Sequence, residues 1–387
     1  MRRLLGLALA LTLGACGTPP SGTTDTGSVV GEPDATTTPA DAAILQLDSG
    51  SPTVDSGGVD SGVAETPDAH AEPLDAGTAQ LADSGVAEPA DASTVPSPDA
   101  GTSTAWEQVP SNATEWLTGI WGFGPSDIWA VGIKSTTAAR AVLLHWDGTS
   151  WTNASYATPV SLLEVWGSST NDVWAGGMTS TLLHYGNSTW TAATAGPTFS
   201  TYGLWGFGAN DVWAVGTGGG VSHYTGTWSD VSGTDSGNWL WGVWGAASND
   251  VWIAGHEGSG ASAKLYRWNG TELAAVTPPT GAKGLWGVHG TSANDVWACG
   301  KEGTLLHYDG SAWSSVPSGV TTETIHAVFA LAPNDAWAVG QTGLALHWDG
   351  TTWQKDSPPT TANLWGVWAT GGTTWVVGRD GLIFRHR

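Results

Sequence analysis

The sequence contains little cysteine, little positive charge and no long apolar segment. Two of its 387 residues are cysteine, Cys16 and Cys299, which excludes a small fold stabilised by several disulfides. It has 12 Lys and Arg against 35 Asp and Glu, a formal net charge of −23. Nucleic-acid binding is therefore not expected, because phosphates require a basic surface. An apolar run at residues 4–13 has ten residues, too few to cross a bilayer as a permanent helix.

The first sixteen residues have the pattern of an export signal. Arg2 and Arg3 precede the apolar run, which ends in Leu13-Gly14-Ala15-Cys16. This ending resembles the bacterial lipobox. The resemblance implies that residues 1–15 are a lipoprotein signal peptide, that Cys16 is lipidated, and that the acyl chains form a stable membrane anchor. Gly17 stands where an Asp would retain such lipoproteins at the inner membrane, which implies an outer-membrane lipoprotein of the cell envelope, either surface-exposed or facing the periplasm.

The next segment has the composition of a disordered linker. Residues 17–104 are mainly Ala, Asp, Gly, Pro, Ser and Thr, with 15 acidic residues and no Lys or Arg. Such a tract cannot bury enough apolar surface to offset its ordering entropy. We therefore expect residues 16–104 to be a lipidated cysteine followed by an acidic spacer.

The rest of the chain is unusually rich in tryptophan, which recurs in a repeated unit. The clearest copy is LWGVHGTSANDVWACGKEGTLLHYDGSAW, residues 285–313, in which turn residues separate four short apolar segments. This pattern predicts four strands joined by tight turns. The tryptophan of the second segment recurs at intervals of 45, 39, 39, 45, 40 and 38 residues, at Trp129, Trp174, Trp213, Trp252, Trp297, Trp337 and Trp375. A period near 40 with four strands per unit is typical of propeller blades.

The seventh unit lacks its fourth segment, and the missing segment is found at the other end of the domain. Residues 103–110 (STAWEQVP) match residues 311–317 (SAWSSVP), and Trp106 takes the place of Trp313. We therefore predict an all-β fold: a seven-bladed β-propeller over residues 105–387, closed by an N-terminal outer strand. Closure leaves no unpaired strand at the seam.

Small residues in the middle of each first segment place this segment innermost, next to the central channel. Glu164 is the exception, and we expect it to point a carboxylate towards the channel. The third segments carry five His and two Arg at one matched position, and the spacing of blades keeps such residues too far apart to share a metal. We expect each histidine to bond within its own blade, for example to the turn Asp. Cys299, Trp286, Trp297 and His307 are predicted to be blade interior.

The pattern LWGVWG…NDVWAVG…LLHYDG resembles that of bacterial lipoproteins with WD40/YVTN/BNR-like propeller repeats. The resemblance covers residues 105–387 and implies the fold but little about activity, because propellers serve binding, scaffolding and catalysis alike. The sialidase-type Asp-box is absent from the sequence, so the resemblance does not by itself imply glycosidase activity.

The connections between segments divide into two kinds, which alternate between the two faces of the ring. The turns after segments one and three have nearly constant length, and we call their side the constant face. The links after segments two and four vary, and we call their side the variable face. Function tends to lie on variable loops held by a rigid scaffold. The candidate binding residues on this face are Lys134, Arg140, Tyr156, Tyr202, Asn238, Trp239, His256, Glu257, Lys264, Lys301, Glu302, Arg379 and Asp380.

These observations predict a membrane-tethered, non-catalytic binding module whose variable face meets an extracellular or periplasmic glycan or protein. We expect a monomer without metal, cofactor or catalytic residues. Two alternatives stay open: a sialidase-like glycoside hydrolase or lyase, and a scaffold for envelope protein assembly.

Overall fold

The computed structural model describes residues 106–133, 141–154, 156 and 158–387. The predicted signal peptide, Cys16, the acidic linker, Lys134 and Arg140 lie outside the described residues. Within the described residues, no helix is long and apolar enough to cross a membrane.

The described strands form seven antiparallel four-stranded sheets, each of which is one blade. Blade one is β2 (Leu117–Gly124), β3 (Asp127–Gly132), β4 (Val142–Trp146) and β5 (Trp151–Asn153). Blade two is β6 (Leu162–Ser169), β7 (Asp172–Gly177), β8 (Leu182–Gly186) and β9 (Thr189–Ala192). Blade three is β10 (Thr201–Gly208), β11 (Asp211–Gly216), β12 (Val221–Tyr224) and β13 (Trp228–Asp230).

The remaining blades repeat this order. Blade four is β14 (Asn238–Ala247), β15 (Asp250–Glu257), β16 (Ala263–Trp268) and β17 (Leu273–Val276). Blade five is β18 (Leu285–Ser292), β19 (Asp295–Gly300), β20 (Leu305–Tyr308) and β21 (Trp313–Ser315). Blade six is β22 (Ile325–Ala332), β23 (Asp335–Gly340), β24 (Ala345–Trp348) and β25 (Trp353–Lys355). Blade seven is β26 (Leu364–Thr370), β27 (Thr373–Gly378), β28 (Ile383–His386) and β1 (Glu107–Gln108). Short 3₁₀ turns follow the second strand of blades three, five, six and seven, at Thr217–Gly219, Lys301–Gly303, Gln341–Gly343 and Arg379–Gly381.

The ring closes through the N-terminal strand, as the sequence predicts. β1 pairs with β28, with Glu107 opposite Arg385 and Gln108 opposite Phe384. The Arg385 guanidinium donates to the Glu107 carboxylate at 2.6 Å, and this hydrogen bond lowers the pKa of Glu107. The first strands of successive blades pack side by side, including β2 against β26, so segment one is innermost and surrounds the channel.

Tryptophan pairs fill the gaps between blades. In six of the seven blades the fourth strand carries a Trp whose ring lies edge-to-face against the second-strand Trp of the preceding blade. The centroid distances lie between 5.0 and 5.9 Å for the pairs Trp190–Trp129, Trp228–Trp174, Trp313–Trp252, Trp353–Trp297, Trp106–Trp337 and Trp151–Trp375. Blade four has Leu273 at this position, and its side chain is buried in the same kind of cluster. The repeated Trp positions are therefore explained by contacts between blades.

The histidines of the third strands have the structural role that the sequence predicts. Nε2 of each lies 2.6–2.9 Å from a carboxylate oxygen of the turn Asp in its own blade, in the pairs His145–Asp127, His184–Asp172, His223–Asp211, His307–Asp295 and His347–Asp335. In blade four Arg267 replaces the histidine and donates to Asp250 at 2.7 Å. Cys299 is fully buried in the core between blades five and six, and burial raises the pKa of its thiol well above the usual range.

Candidate functional site

Every innermost strand contains a β-bulge close to the variable face. The register shifts by one residue near the start of the strand, for example between Leu285 and Gly287 in blade five. The same shift occurs in the other six blades. A bulge leaves one residue unpaired and redirects its side chain. The seven residues at this position are Thr118, Leu163, Tyr202, Trp241, Trp286, His326 and Trp365.

Five of these residues form a continuous band of rings around the channel mouth, which we call the aromatic arc: Tyr202, Trp241, Trp286, His326 and Trp365. Tyr202 stacks on Trp241 with centroids 4.2 Å apart, and Trp241 packs on Trp286 at 4.1 Å. Trp286 meets the edge of His326 at 5.4 Å, and His326 stacks on Trp365 at 3.9 Å. The arc therefore spans blades three to seven and is interrupted at blades one and two, where the bulges carry Thr118 and Leu163.

A second layer of aromatic residues lies deeper, towards the constant face. It consists of Trp121, Trp166, Trp205, Trp244, His289, Phe329 and Trp368, one from each innermost strand. Trp121 contacts Trp205 two blades away at 5.7 Å, and Trp205 contacts His289 two blades away at 5.5 Å. Rings that meet across a skipped blade narrow the channel, so a ligand would enter the mouth from the variable face.

Hydrogen bonds fix the orientation of the arc. The Trp241 indole N–H donates to Nε2 of His256 at 2.9 Å, and Nδ1 of His256 donates to the Glu257 carbonyl at 2.6 Å. Burial lowers the pKa of His256, which keeps the ring neutral and able to accept from Trp241. His326 donates from Nδ1 to the Leu364 carbonyl at 2.8 Å, and burial lowers its pKa to about 4.

Two further tryptophans extend the arc on the variable face. Trp116 lies parallel to Trp365 with centroids 6.4 Å apart, and the Arg379 guanidinium lies 4.5 Å above the Trp116 ring. Trp239 lies 6.4 Å from Trp241 and 5.7 Å from His256. Trp116, Trp239, Trp241 and Trp365 are all partly exposed, so the mouth presents parts of four indole rings to solvent. The other three residues of the arc are buried.

Glu164 adds one acidic group to the channel. It is the single Asp or Glu in the seven innermost strands, and these strands contain no Lys or Arg. One of its carboxyl oxygens accepts the Val165 N–H at 3.0 Å. Burial raises the pKa of Glu164 to about 8, so the carboxyl holds a proton at neutral pH.

The structure brings several of the candidate loop residues together. Tyr202 belongs to the arc, Trp239 and His256 flank it, and Arg379 covers Trp116. The Lys301 side chain lies against Gly260 of the blade-four loop, and its charge contributes to the lowered pKa of His256.

Other candidate residues serve the scaffold or the outer surface. Asn238 is buried and donates to the Tyr266 hydroxyl at 2.6 Å, and Tyr156 packs against the core between blades one and two. Glu302 forms an exposed ion pair with Lys283 at 3.1 Å. Asp380 is exposed at a positive φ of 59°, and the remaining two, Glu257 and Lys264, are partly buried at the ends of β15 and β16.

The sequence alone did not identify most of the arc. Trp241, His326 and Trp365 are absent from the candidate residues, and Trp286 was predicted to be blade interior. A β-bulge leaves no recognisable pattern of residue types in the sequence. Strict alternation of side chains between the two faces of the strand therefore predicts the wrong orientation for these residues. The signal in the sequence is variation. In five of the seven blades the bulge position lies between a Leu or Ile and a Gly or Ala, and its own residue differs widely among the blades.

The chemistry of the mouth suits recognition by apolar, aromatic and hydrogen-bonding groups. In the described part of the chain, no three His, Cys, Asp or Glu side chains come close enough to hold a metal ion. The mouth combines neutral rings, indole edges and one buried carboxyl.

No protein-family model matches the chain, and no curated protein matches it in sequence. Solved structures match its fold. YCF48 from Cyanidioschyzon merolae aligns with a TM-score of 0.57 and 18% identity, covering 73% of this chain and 98% of that chain. A structure of YCF48 bound to D1 peptide aligns with a TM-score of 0.58 and 17% identity, covering 73% of this chain and 96% of that chain.

Two other matches concern proteins of different function. A catalytically inactive variant of virginiamycin B lyase from Staphylococcus aureus, with quinupristin, aligns with a TM-score of 0.60 and 15% identity, covering 72% of this chain and 98% of that chain. The WD40 β-propeller domain of Doa1 aligns with a TM-score of 0.59 and 12% identity, covering 73% of this chain and 97% of that chain. At such low identities these likenesses establish the fold alone: the chain is a WD40-like β-propeller.

Proposed function

We propose that this protein is a non-catalytic binding module, anchored to the cell envelope through Cys16, that captures a peptide segment of a partner protein at the channel mouth. The observation that carries the proposal is the aromatic arc, which the same bulge builds in successive blades and in which Trp241 and Trp365 are partly exposed. Trp, Tyr and Arg are the residues that contribute most to protein interfaces. All three types are present at this mouth.

The packing of the arc favours a peptide over a glycan. Trp241 has Tyr202 nearly parallel to it at 4.2 Å and Trp286 at 4.1 Å, so neighbouring rings cover both of its faces. Trp365 is likewise covered on one face by His326 at 3.9 Å. A sugar ring stacks on a free aromatic face, whereas apolar side chains can pack against the edges of rings. The peptide bound by the similar propeller YCF48 is consistent with this mode.

The distribution of carboxylates favours binding over hydrolysis. Glycoside hydrolysis requires two carboxyl groups about 5–10 Å apart. The innermost strands provide one, Glu164. We therefore favour a binding module over a sialidase-like hydrolase or lyase as the function of this protein.

Substitution of an arc tryptophan tests this function. Peptides selected from a random library on the full chain should lose roughly tenfold or more in affinity when Trp241 is replaced by Ala, because a central aromatic contact is removed. Fluorescence anisotropy with labelled peptide measures the change. Trp348→Ala is the matched control, because Trp348 is a partly buried indole at a constant-face turn and donates to the Pro333 carbonyl. Equal affinity for Trp241→Ala and wild type would exclude the arc as the binding site.

A further inference from the structure

The interface between blades two and three differs from the other six at the level of the channel. In each interface three matched positions meet: the residue after the bulge, its partner on the second strand, and the residue before the bulge of the next blade. Six interfaces hold Gly or Ala, then Val, Ala or Cys, then Leu or Ile, as in Gly203, Val215 and Leu240. The interface between blades two and three holds Glu164, Gly176 and Thr201, which we call the polar triplet.

The residue at each position of the polar triplet depends sterically on the residues at the other two positions. In blade three a Cβ on Gly203 would lie 2.7 Å from the Trp241 carbonyl oxygen and 3.0 Å from a methyl of its partner Val215, so this position has little room for a long side chain. In blade two the partner is Gly176, and its lack of a side chain leaves room for Glu164. A Cβ on Gly176 would in turn lie 2.6 Å from the Thr201 methyl. Glu164 pairs with Gly176, so the two residues share one face of the blade. That face is turned towards Thr201 of blade three, so Glu164 and Thr201 both lie in the gap between these two blades.

The polar groups of the triplet lack the partners that buried groups normally have. Thr201 is fully buried, and its hydroxyl has no hydrogen-bond partner. Glu164 accepts one hydrogen bond, from Val165, and the innermost strands provide no basic side chain to neutralise it. An unpaired buried hydroxyl or carboxyl costs stability, so such groups are usually retained where a ligand completes them.

The surrounding elements explain from where a ligand could approach. β7 pairs with the outer edge of β6 and Glu164 is partly exposed, so we infer that its carboxyl is reached from the channel side. The arc is interrupted at blades one and two, and Tyr202 of the arc directly follows Thr201 in the chain. The polar triplet therefore lies beside the open segment of the mouth.

We propose that the polar triplet is the subsite for a cationic nitrogen, such as a lysine side chain of the bound peptide, with the Glu164 carboxylate as counter-ion and the Thr201 hydroxyl as a second acceptor. This inference rests on the proposed function and specifies which peptide the mouth selects. The acidic surface of the propeller attracts a positively charged partner.

Binding of an ammonium group leaves its protons in place, and Glu164 releases its own proton to solvent. Affinity therefore rises with pH towards the pKa of Glu164, about 8. The other titratable groups on the elements that pack against β6 are Tyr202 of β10, Asp172 of β7 and Asp127 of β3, and the two carboxylates are paired with His184 and His145. Across the channel lie His289, whose pKa burial lowers to about 3, and His326, which is neutral above about pH 4.

A small amine tests the inference without knowledge of the partner. n-Butylammonium chloride, which imitates a lysine side chain, and neutral 1-butanol are titrated into the full chain and followed by saturation-transfer NMR. We expect the amine to bind at least about tenfold more tightly than the alcohol, and Glu164→Gln to abolish this preference, because a buried ion pair that loses one charge is strongly weakened. Glu323→Gln, which removes an exposed carboxylate on the same face, should leave the preference unchanged.

A second variant distinguishes the loss of the subsite from misfolding. Glu164→Gly, Gly176→Val and Thr201→Leu together restore the residues found in the other interfaces, and this triple variant should fold and bind both probes equally. Equal binding of amine and alcohol by the wild type, or a preference that survives Glu164→Gln, would overturn the subsite. If the amine preference disappears in Glu164→Gln while library peptides bind Trp241→Ala and wild type equally, the subsite stands and the proposed peptide mouth fails.

Discussion

At the residue scale, the exceptional group is a carboxyl held in the interior without a counter-charge. Glu164 takes a position that is Gly in five other blades and Ala in one. It is tolerated because its strand partner, Gly176, lacks the side chain that would collide with it. The sequence marks Glu164 as an exception directed at the channel, and the structure places it at the boundary of blades two and three.

Glu164 predicts a pH dependence of stability. Its pKa is about 8 in the folded chain against 4.5 for the unperturbed group, so between these values the folded state binds a proton that the unfolded state has released. The free energy of unfolding should therefore fall as pH rises from 4.5 to 8, by up to about 1.4 kcal/mol per pH unit from this residue. Urea unfolding of wild type and Glu164→Gln at several pH values measures the difference, since other titrating groups are common to both. Parallel pH profiles would contradict the burial of this carboxyl.

At the element scale, the short strand β1 holds the ring together through more than its two backbone pairs. The Trp106 indole N–H donates to the carbonyl and carboxylate oxygens of Asp356 at 3.0 Å. Its ring lies 5.5 Å from Trp337 of blade six, edge to face. Trp106, the residue before β1, thus reproduces from the far end of the domain the contact that the other fourth-strand tryptophans make with the preceding blade.

Trp106→Ala should open the seam. We expect a loss of roughly 2–3 kcal/mol in the free energy of unfolding, because a partly buried indole and its packing are removed. Hydrogen exchange of the β28 amides, residues 383–386, should accelerate, because β1 pairs with β28 and shields it from solvent. Trp228→Ala removes the equivalent ring of blade three and serves as the control: it should lower stability while leaving β28 protected. Unchanged protection of β28 in Trp106→Ala would show that backbone pairing alone closes the ring.

At the scale of the whole molecule, the propeller combines a rigid ring with one open mouth. Six edge-to-face tryptophan pairs and the His–Asp pairs stiffen the blades, and the deeper aromatic layer narrows the channel towards the constant face. A ligand therefore meets a preformed site, which limits the entropy lost on binding. The tether and anchor predicted from residues 1–104 would present that site away from the membrane.

The anchor gives a prediction for the intact chain. Cys16→Ala should move the protein from the membrane pellet to the soluble fraction and abolish incorporation of a labelled fatty acid, because the acyl chains are the proposed means of attachment. Cys299→Ala is the matched control: this thiol is buried within the ring, so lipidation and pelleting should persist. Membrane attachment that survives Cys16→Ala would contradict the lipoprotein interpretation.

The number of blades, the order of their strands and the closing strand could be predicted from the sequence, because each is encoded locally. Alternating apolar residues specify the strands, and turn residues specify their ends. The seventh unit lacks its fourth segment, and residues 103–110 at the other end of the domain supply it. The His–Asp pairs also follow from the repeat, since both members lie within one blade at a fixed spacing of 12 residues in most copies.

The candidate binding mouth depends on the tertiary structure. A one-residue register shift turns Trp241, Trp286 and Trp365 into the channel, and that shift depends on how neighbouring strands pack. The polar triplet unites Glu164, Gly176 and Thr201 from two different blades, which become neighbours when the blades pack together. Local patterns therefore specified the scaffold of this protein, whereas the convergence of side chains from separate blades, which only the closed ring produces, specified its candidate site.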